Sequence, residues 1–199
     1  MSAFLDPDLH GREAAEKRLG MPVRLELTRP LEDSGDEPRR FTRNRLAEVL
    51  MVLPRPGGLL FHTKAFYPRG IYRLPSGGVK SGEKILRAAS REVREETGLV
   101  LAPTRFLFHL VQRLHVGETL RGFHSLAFLF PFSDGPLQPQ DEEEEISDLR
   151  ACSWEEIPEL IRRMMSLSYP WETWGEFRAA PHRLLLEVRR DHPDWFEGG

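Results

Sequence analysis

Glu92, Glu95 and Glu96 stand at i, i+3 and i+4. On a helix that spacing gathers three carboxylates within an arc of roughly 100°. The surrounding residues predict such a helix: Glu83 to Thr97 is rich in good helix formers, and Gly98 follows as the residue type that ends one. Like charges at this spacing repel, and near a helix C-terminus they also meet the negative end of the macrodipole. Ile85, Ala89 and Val93 make the apolar stripe of the same helix, with Glu96 beside it. A bound hard cation such as Mg²⁺ or Mn²⁺ would relieve these penalties, because it takes carboxylate and carbonyl oxygens. A charged helix whose glutamates pair with Arg87, Arg91 and Arg94 would relieve them too. Spacing alone leaves both readings open.

The helix is entered through Pro75-Ser76, Gly77-Gly78 and Ser81-Gly82, a run of turn formers that predicts a bend. From Gly77 to Leu99 this stretch resembles the Nudix box, the signature of the Nudix hydrolases. That signature is Gly, five residues, Glu, seven residues, Arg-Glu, an aliphatic residue, any residue, Glu-Glu, any residue, Gly and an aliphatic residue. Gly77, Glu83, Arg91, Glu92, Val93, Glu95, Glu96, Gly98 and Leu99 fill its positions.

The resemblance runs over roughly residues 46 to 165. It implies an α/β fold, the Nudix-type α/β/α sandwich with a mixed β-sheet. It also implies divalent-metal-dependent hydrolysis, with Mg²⁺ or Mn²⁺ as cofactor. The bond cleaved would be the pyrophosphate of a nucleoside diphosphate linked to another moiety, such as ADP-ribose, a nucleotide sugar or a nucleoside triphosphate. In the site so implied, Glu92, Glu95 and Glu96 hold metal with a backbone carbonyl of Ser76 or Gly77. Arg91, paired with Glu83, orients those carboxylates. Many members carry a further Glu downstream that completes the metal cluster or acts as general base. Asp141 to Glu145 is the matching acidic run, with Glu144 the first candidate and Glu145 the second, the two that lie nearest the strand that follows. Taken by itself, such a run is a solvated one.

Lys64, Arg69 and Arg73 lie close in sequence to the turn. They are candidates for substrate oxygens, since Arg binds phosphate bidentately and Lys acts as a point charge. Each is equally an ordinary surface cation. Arg39, Arg40, Arg43 and Arg45 cluster around Phe41, where a solvated run is commoner than a phosphate-facing patch. His109, His115 and His124 lack metal-ligand spacing and read as packed or solvated. Trp171, Trp174 and Phe177 could stack a base, but such residues are more often core or interface anchors.

Composition narrows the class. An apolar content of 40% in 199 residues predicts one globular domain with a proper core rather than disorder. With 28 Lys and Arg against 31 Asp and Glu, the formal charge of −3 does not predict a nucleic-acid or anionic-membrane binder. Cys152, the only cysteine, excludes an internal disulfide and a Cys-rich zinc site, and reads as a small buried residue. No run approaches transmembrane length and the N-terminus is no secretory signal, so a cytoplasmic protein without membrane contact is expected.

The supporting elements follow from pattern. Residues 1–44 read as an extension holding a short helix (Arg12 to Leu19, ended by Gly20) and a strand from Val23 to Thr28. By analogy with many Nudix enzymes, this segment is expected to supply a homodimer contact. Residues 45–199 read as the hydrolase domain with a helical C-terminal segment. Leu46 to Leu53 is apolar enough for a strand covered on both faces, and Leu59 to Lys64 returns after a Pro/Gly turn. Arg105 to His115 and Gly122 to Phe132 predict two long strands, and Leu149 to Ser153 a further one. Ser153 and Glu156 have capping-box spacing ahead of a helix to about Met165, and Pro181 is expected to open a last helix to Arg190.

Three rivals stand beside the hydrolase. A catalytically idle Nudix domain that senses a nucleotide is opposed by the complete box. An isoprenoid diphosphate isomerase of the superfamily needs a catalytic cysteine, and Cys152 lies far downstream of the box. A pure interaction module would use the aromatic C-terminal segment. No Ser-Gln-Pro-Trp-Pro-Phe-Pro sequence follows the box, which removes support for the NADH-pyrophosphatase subgroup.

Overall fold

The apolar run after residue 46 forms a strand because neither of its faces meets water. In the computed structural model, which describes residues 9–30, 47–116, 119–140 and 145–197, every residue of this strand, β2 (Ala47–Val52), is buried. Val49 and Met51 point to one layer of core, Leu50 and Val52 to the other. Strand alternation therefore decides which helix each side chain meets.

Two sheets form the centre. One has the order β1-β6-β7-β2-β5 and joins β1 (Val23–Pro30), β6 (Arg105–Val116), β7 (Thr119–Leu129), β2 and β5 (Ser76–Gly78). It is mixed: β1 runs parallel to β6 and β7 to β2, while β6 and β7, and β2 and β5, are antiparallel. The other is antiparallel, with β3 (Pro54–Arg55), β4 (Gly58–Lys64) and β8 (Ile146–Cys152) in the order β3-β4-β8. The expected mixed sheet between helices is thus present. β1, assigned to the extension, is the edge strand of the larger sheet.

Helix α1 (Arg12–Leu19) and the box helix α2 (Ile85–Thr97) cover one face, over Val49, Met51, Leu60, Leu126 and Phe128. Helices α3 (Ile157–Met165) and α4 (Glu172–Asp191) cover the other, over Leu50, Val52, Phe61 and Leu110. Ala88 and Ala89 on the inner face of α2 bring its axis close to the sheet. Gly98 closes α2 with φ 77°, its N–H bonded to the Arg94 carbonyl. Ahead of α3, the Ser153 N–H donates to the Glu156 carboxylate, one half of a capping box.

One element differs from expectation. The last helix begins at Glu172, and Pro181 lies inside it. A proline there cannot donate to the carbonyl of residue 177. The side-chain N–H of Gln112, reaching from β6, supplies the missing donor to Phe177 O at 3.3 Å. Two aromatics of the C-terminal segment are core, Trp174 fully buried against Tyr67 and Phe177 packed edge-to-face on Phe123, while Trp171 is partly buried and Tyr169 exposed. Buried His109 and His124 bond each other across β6 and β7, Nε2 to Nδ1 at 2.8 Å. The Cys152 thiol is buried and pushed up to about 11 by desolvation, far from a reactive thiolate. Among the described residues no helix is long and apolar enough to cross a membrane.

Candidate active site

The turn before α2 is built around a glycine that touches a carboxylate. A Cβ on Gly77 would fall 1.8 Å from Cδ of Glu92, so only glycine lets the backbone lie against that side chain. Gly77 sits in β5 opposite Val49. The ladder bonds from Met51 N–H to Pro75 O and from Val79 N–H to Ala47 O direct the odd-numbered residues of β5 toward β2. The carbonyls of Ser76 and Gly78 consequently point off the open edge of the sheet, and Arg91 takes that of Gly78 at 2.9 Å.

Arg91 is the hub. Its Nε and Nη2 grip both oxygens of Glu83 at 2.9 and 2.8 Å. Its Nη1 donates to Oε1 of Glu92 at 2.6 Å and to Oε2 of Glu95 at 2.7 Å. One guanidinium thus ties the start of the box to its end. The hydrogen bonds from Arg91 hold the Glu83 carboxyl below its ordinary range, and Arg91 is held more firmly in its charged form by the same bonds. Glu83 also accepts the Lys80 N–H, which closes the loop.

Glu96 turns inward. It is fully buried, and its Oε2 lies 3.4 Å from Nδ1 of His62 on β4, itself fully buried. Burial, reinforced by Arg73 and Lys64, drives the imidazole well below its ordinary range, so it is neutral at physiological pH. Lys64 is buried one strand alternation beyond His62, and Arg69 is exposed. Glu145 is exposed, and its carbonyl accepts the Ala65 N–H at the end of β4. Glu144, with Asp141 to Glu143, lies outside the described residues, as does the arginine cluster around Phe41.

Arg73 is buried rather than presented to solvent. It donates to the Tyr67 hydroxyl at 2.7 Å, to Leu74 O at 3.1 Å and to Ser76 Oγ at 2.7 Å. Behind Ser76 lies an ion pair absent from any sequence expectation. Glu48 on β2 accepts from Arg178 on α4 at 2.7 Å, from Ser125 at 2.8 Å and from Ser76 at 3.2 Å. Burial pushes the Glu48 carboxyl up, but Arg178 and Arg73 outweigh it and hold the group low. His182 is fixed in one tautomer: its Nδ1–H donates to Arg178 O at 2.7 Å, so Nε2 accepts the Leu74 N–H at 2.9 Å. The only sequence signal for these residues was a lone carboxylate, Glu48, inside an otherwise apolar strand.

The donors around Gly77 are carboxylate and carbonyl oxygens, the chemistry that suits a hard divalent ion. Among the described residues no three His, Cys, Asp or Glu side chains already form a metal-binding group. Arg91 occupies the space between Glu92 and Glu95.

The NUDIX domain family model matches residues 43–174, and the chain belongs to the Nudix hydrolase family. Phosphatase NudJ of Shigella boydii is similar to it, 27% identical over 117 residues, covering 57% of this chain and 70% of NudJ. The Escherichia coli NudJ matches to the same extent, 27% over 117 residues. Among solved structures, the MutT protein from Methanosarcina mazei aligns with a TM-score of 0.50 at 16% identity, over 74% of this chain and 95% of MutT. The E. coli ORF135 protein aligns with a TM-score of 0.50 at 22% identity, over 78% and 96%. At these identities the structural likeness establishes the fold.

Proposed function

We propose that this hydrolase cleaves the pyrophosphate linkage of a nucleoside diphosphate derivative with the help of Mg²⁺ or Mn²⁺. The observation that carries the reading is the grouping of Glu92 and Glu95 by Arg91 over the glycine-only backbone of Gly77. Arg91 already offsets the repulsion between these carboxylates, so what favours a metal is the donor set, carboxylate oxygens beside outward backbone carbonyls, which are the ligands a hard divalent ion takes. Glu92, Glu95 and Glu96 would hold the ion with the outward carbonyl of Ser76, and Glu144 would complete the set. When bound, a divalent ion screens phosphoryl charge and lowers the pKa of a coordinated water.

The chain's own residues supply the rest. Arg91 keeps the carboxylates at their separation before the ion arrives, and Glu83 anchors Arg91. A box glutamate or Glu144 accepts the proton from the attacking water, which needs only a carboxylate within hydrogen-bond reach. Lys64 and Arg69 would meet substrate oxygens, with Arg73 acting from beneath the turn.

The deciding experiment is a panel of nucleoside diphosphate derivatives and triphosphates with Mg²⁺ or Mn²⁺, with products resolved to show which P–O bond breaks. Glu96→Gln is expected to abolish turnover while circular dichroism stays native. Near-wild-type turnover in that variant overturns the role of Glu96. Binding of nucleotides without turnover across the panel would instead make the chain a sensor.

A further inference from the structure

The family match ends at residue 174, in the first turn of α4. Two side chains beyond it connect to the segment that leads into the box, Arg178 by way of Glu48 on β2 and His182 at the Leu74 amide. Arg178 and His182 stand one helical turn apart on the buried face of α4. Arg178 grips Glu48, which in turn accepts the Ser76 hydroxyl. His182 accepts the Leu74 N–H, two residues earlier.

The Leu74 amide has no strand to pair with. Arg73 exchanges both its bonds with His62, and Pro75 O receives the Met51 N–H, so residue 74 falls between two ladders. A buried amide left there without an acceptor would be costly. His182 fills the gap, and Ser76 is pinned from the same helix through Glu48 and from just upstream by Arg73. Fold support alone would not require an ion pair here, since apolar residues of similar volume hold a helix to a sheet as well or better. What these bonds add is direction, because each ends at or next to the segment whose Ser76 carbonyl faces outward.

We propose that Arg178 and His182 are positioning residues that set the Ser76 carbonyl for the divalent ion, through Glu48 and the Leu74 amide. The proposal rests on the metal-dependent reading above. It makes the C-terminal helix part of the site, although none of its side chains belongs to the box.

The test uses the full chain and Mn²⁺ alone, with free ion followed by electron paramagnetic resonance and backbone amide exchange followed by mass spectrometry. His182→Phe is expected to weaken Mn²⁺ binding by roughly 10–100-fold. Exchange should accelerate in the peptide spanning Leu74 to Gly78 while the rest of the sheet stays protected. His182→Gln, which keeps an acceptor at the end of the side chain, should recover part of that affinity. Should Arg178→Met fail to fold, the Glu48→Gln/Arg178→Met pair removes the buried charges together and is expected to show the same weakening. Wild-type Mn²⁺ affinity in His182→Phe or in the paired variant, with faster exchange at Leu74, overturns the proposal and leaves a purely structural role. A wild-type chain that takes up no Mn²⁺ overturns the metal reading itself, an outcome distinct from loss confined to the variants.

Discussion

The carboxyl carbon of Glu92 would stand 1.8 Å from a Cβ on Gly77, a distance no side chain can occupy. The glycine of the box is therefore a contact surface as much as a turn former, and the carboxylate rests on it.

Gly77→Ala is expected to lose at least tenfold in turnover, the scale seen when a ligand's support is disturbed. Overpacking of this kind costs about 1–3 kcal/mol. Thermal melting and steady-state assays on the same preparation would check both. Unchanged turnover would show that Glu92 can move aside without loss.

Arg91→Gln removes the tie between Glu83, Glu92 and Glu95. In the native chain Glu83 is held below its ordinary value of 4.5, so the Glu83–Arg91 contribution is complete above that pH. It is lost as pH falls through the lowered folded-state value. The stability gap between wild type and variant, measured by urea melts from neutral pH downward, is expected to shrink on the acid side. A gap independent of pH would mean that Glu83 is not the partner that matters.

His182 makes a separable contribution of the same sign, in a window that reaches to higher pH. Burial lowers its value from 6.5 to about 4, so the unfolded chain takes up a proton before the folded one does. Stability is then expected to rise with pH between those two values and to level off above the upper one. The full penalty below the lower value is about 3 kcal/mol. His182→Phe should reduce the slope in that window by up to one proton, readable from urea melts across it.

Gln112→Ala leaves Phe177 O without its donor opposite Pro181. A cost of about 1–3 kcal/mol is expected for the orphaned carbonyl. Restoring a backbone donor with Pro181→Ala in the same chain should recover much of it, so the two substitutions should be strongly non-additive in chemical denaturation. Additive losses would show that the helix does not depend on this bond.

These relationships also separate what is legible in the sequence from what is not. The turn and helix of the box are legible because their determinants are local: glycines in a short run, apolar spacing on one helix, Gly98 to end it. The helix Arg12–Leu19 and the long strands are legible for the same reason. Glu48 and Arg178 are not, because 130 residues separate a pair whose meaning is the bond itself. His62 looks like an ordinary strand residue until β4 brings it under Glu96. Pro181 misleads outright, since the rule that prolines open helices fails when Gln112, far away in sequence, supplies the lost hydrogen bond.

The alternation of β5 has a consequence for how the chain tolerates changes in length. Ser76 answers to α4 and Gly77 to α2, so inserting or deleting one residue between Leu74 and Gly78 would exchange the two faces. The carboxylate would lose its glycine and the hydroxyl its acid in a single step. At Gly82, with φ 72°, nothing stands within 4 Å of where a Cβ would lie, so the tip of the loop is less tightly packed than β5. The strand beneath the loop behaves as a measured spacer.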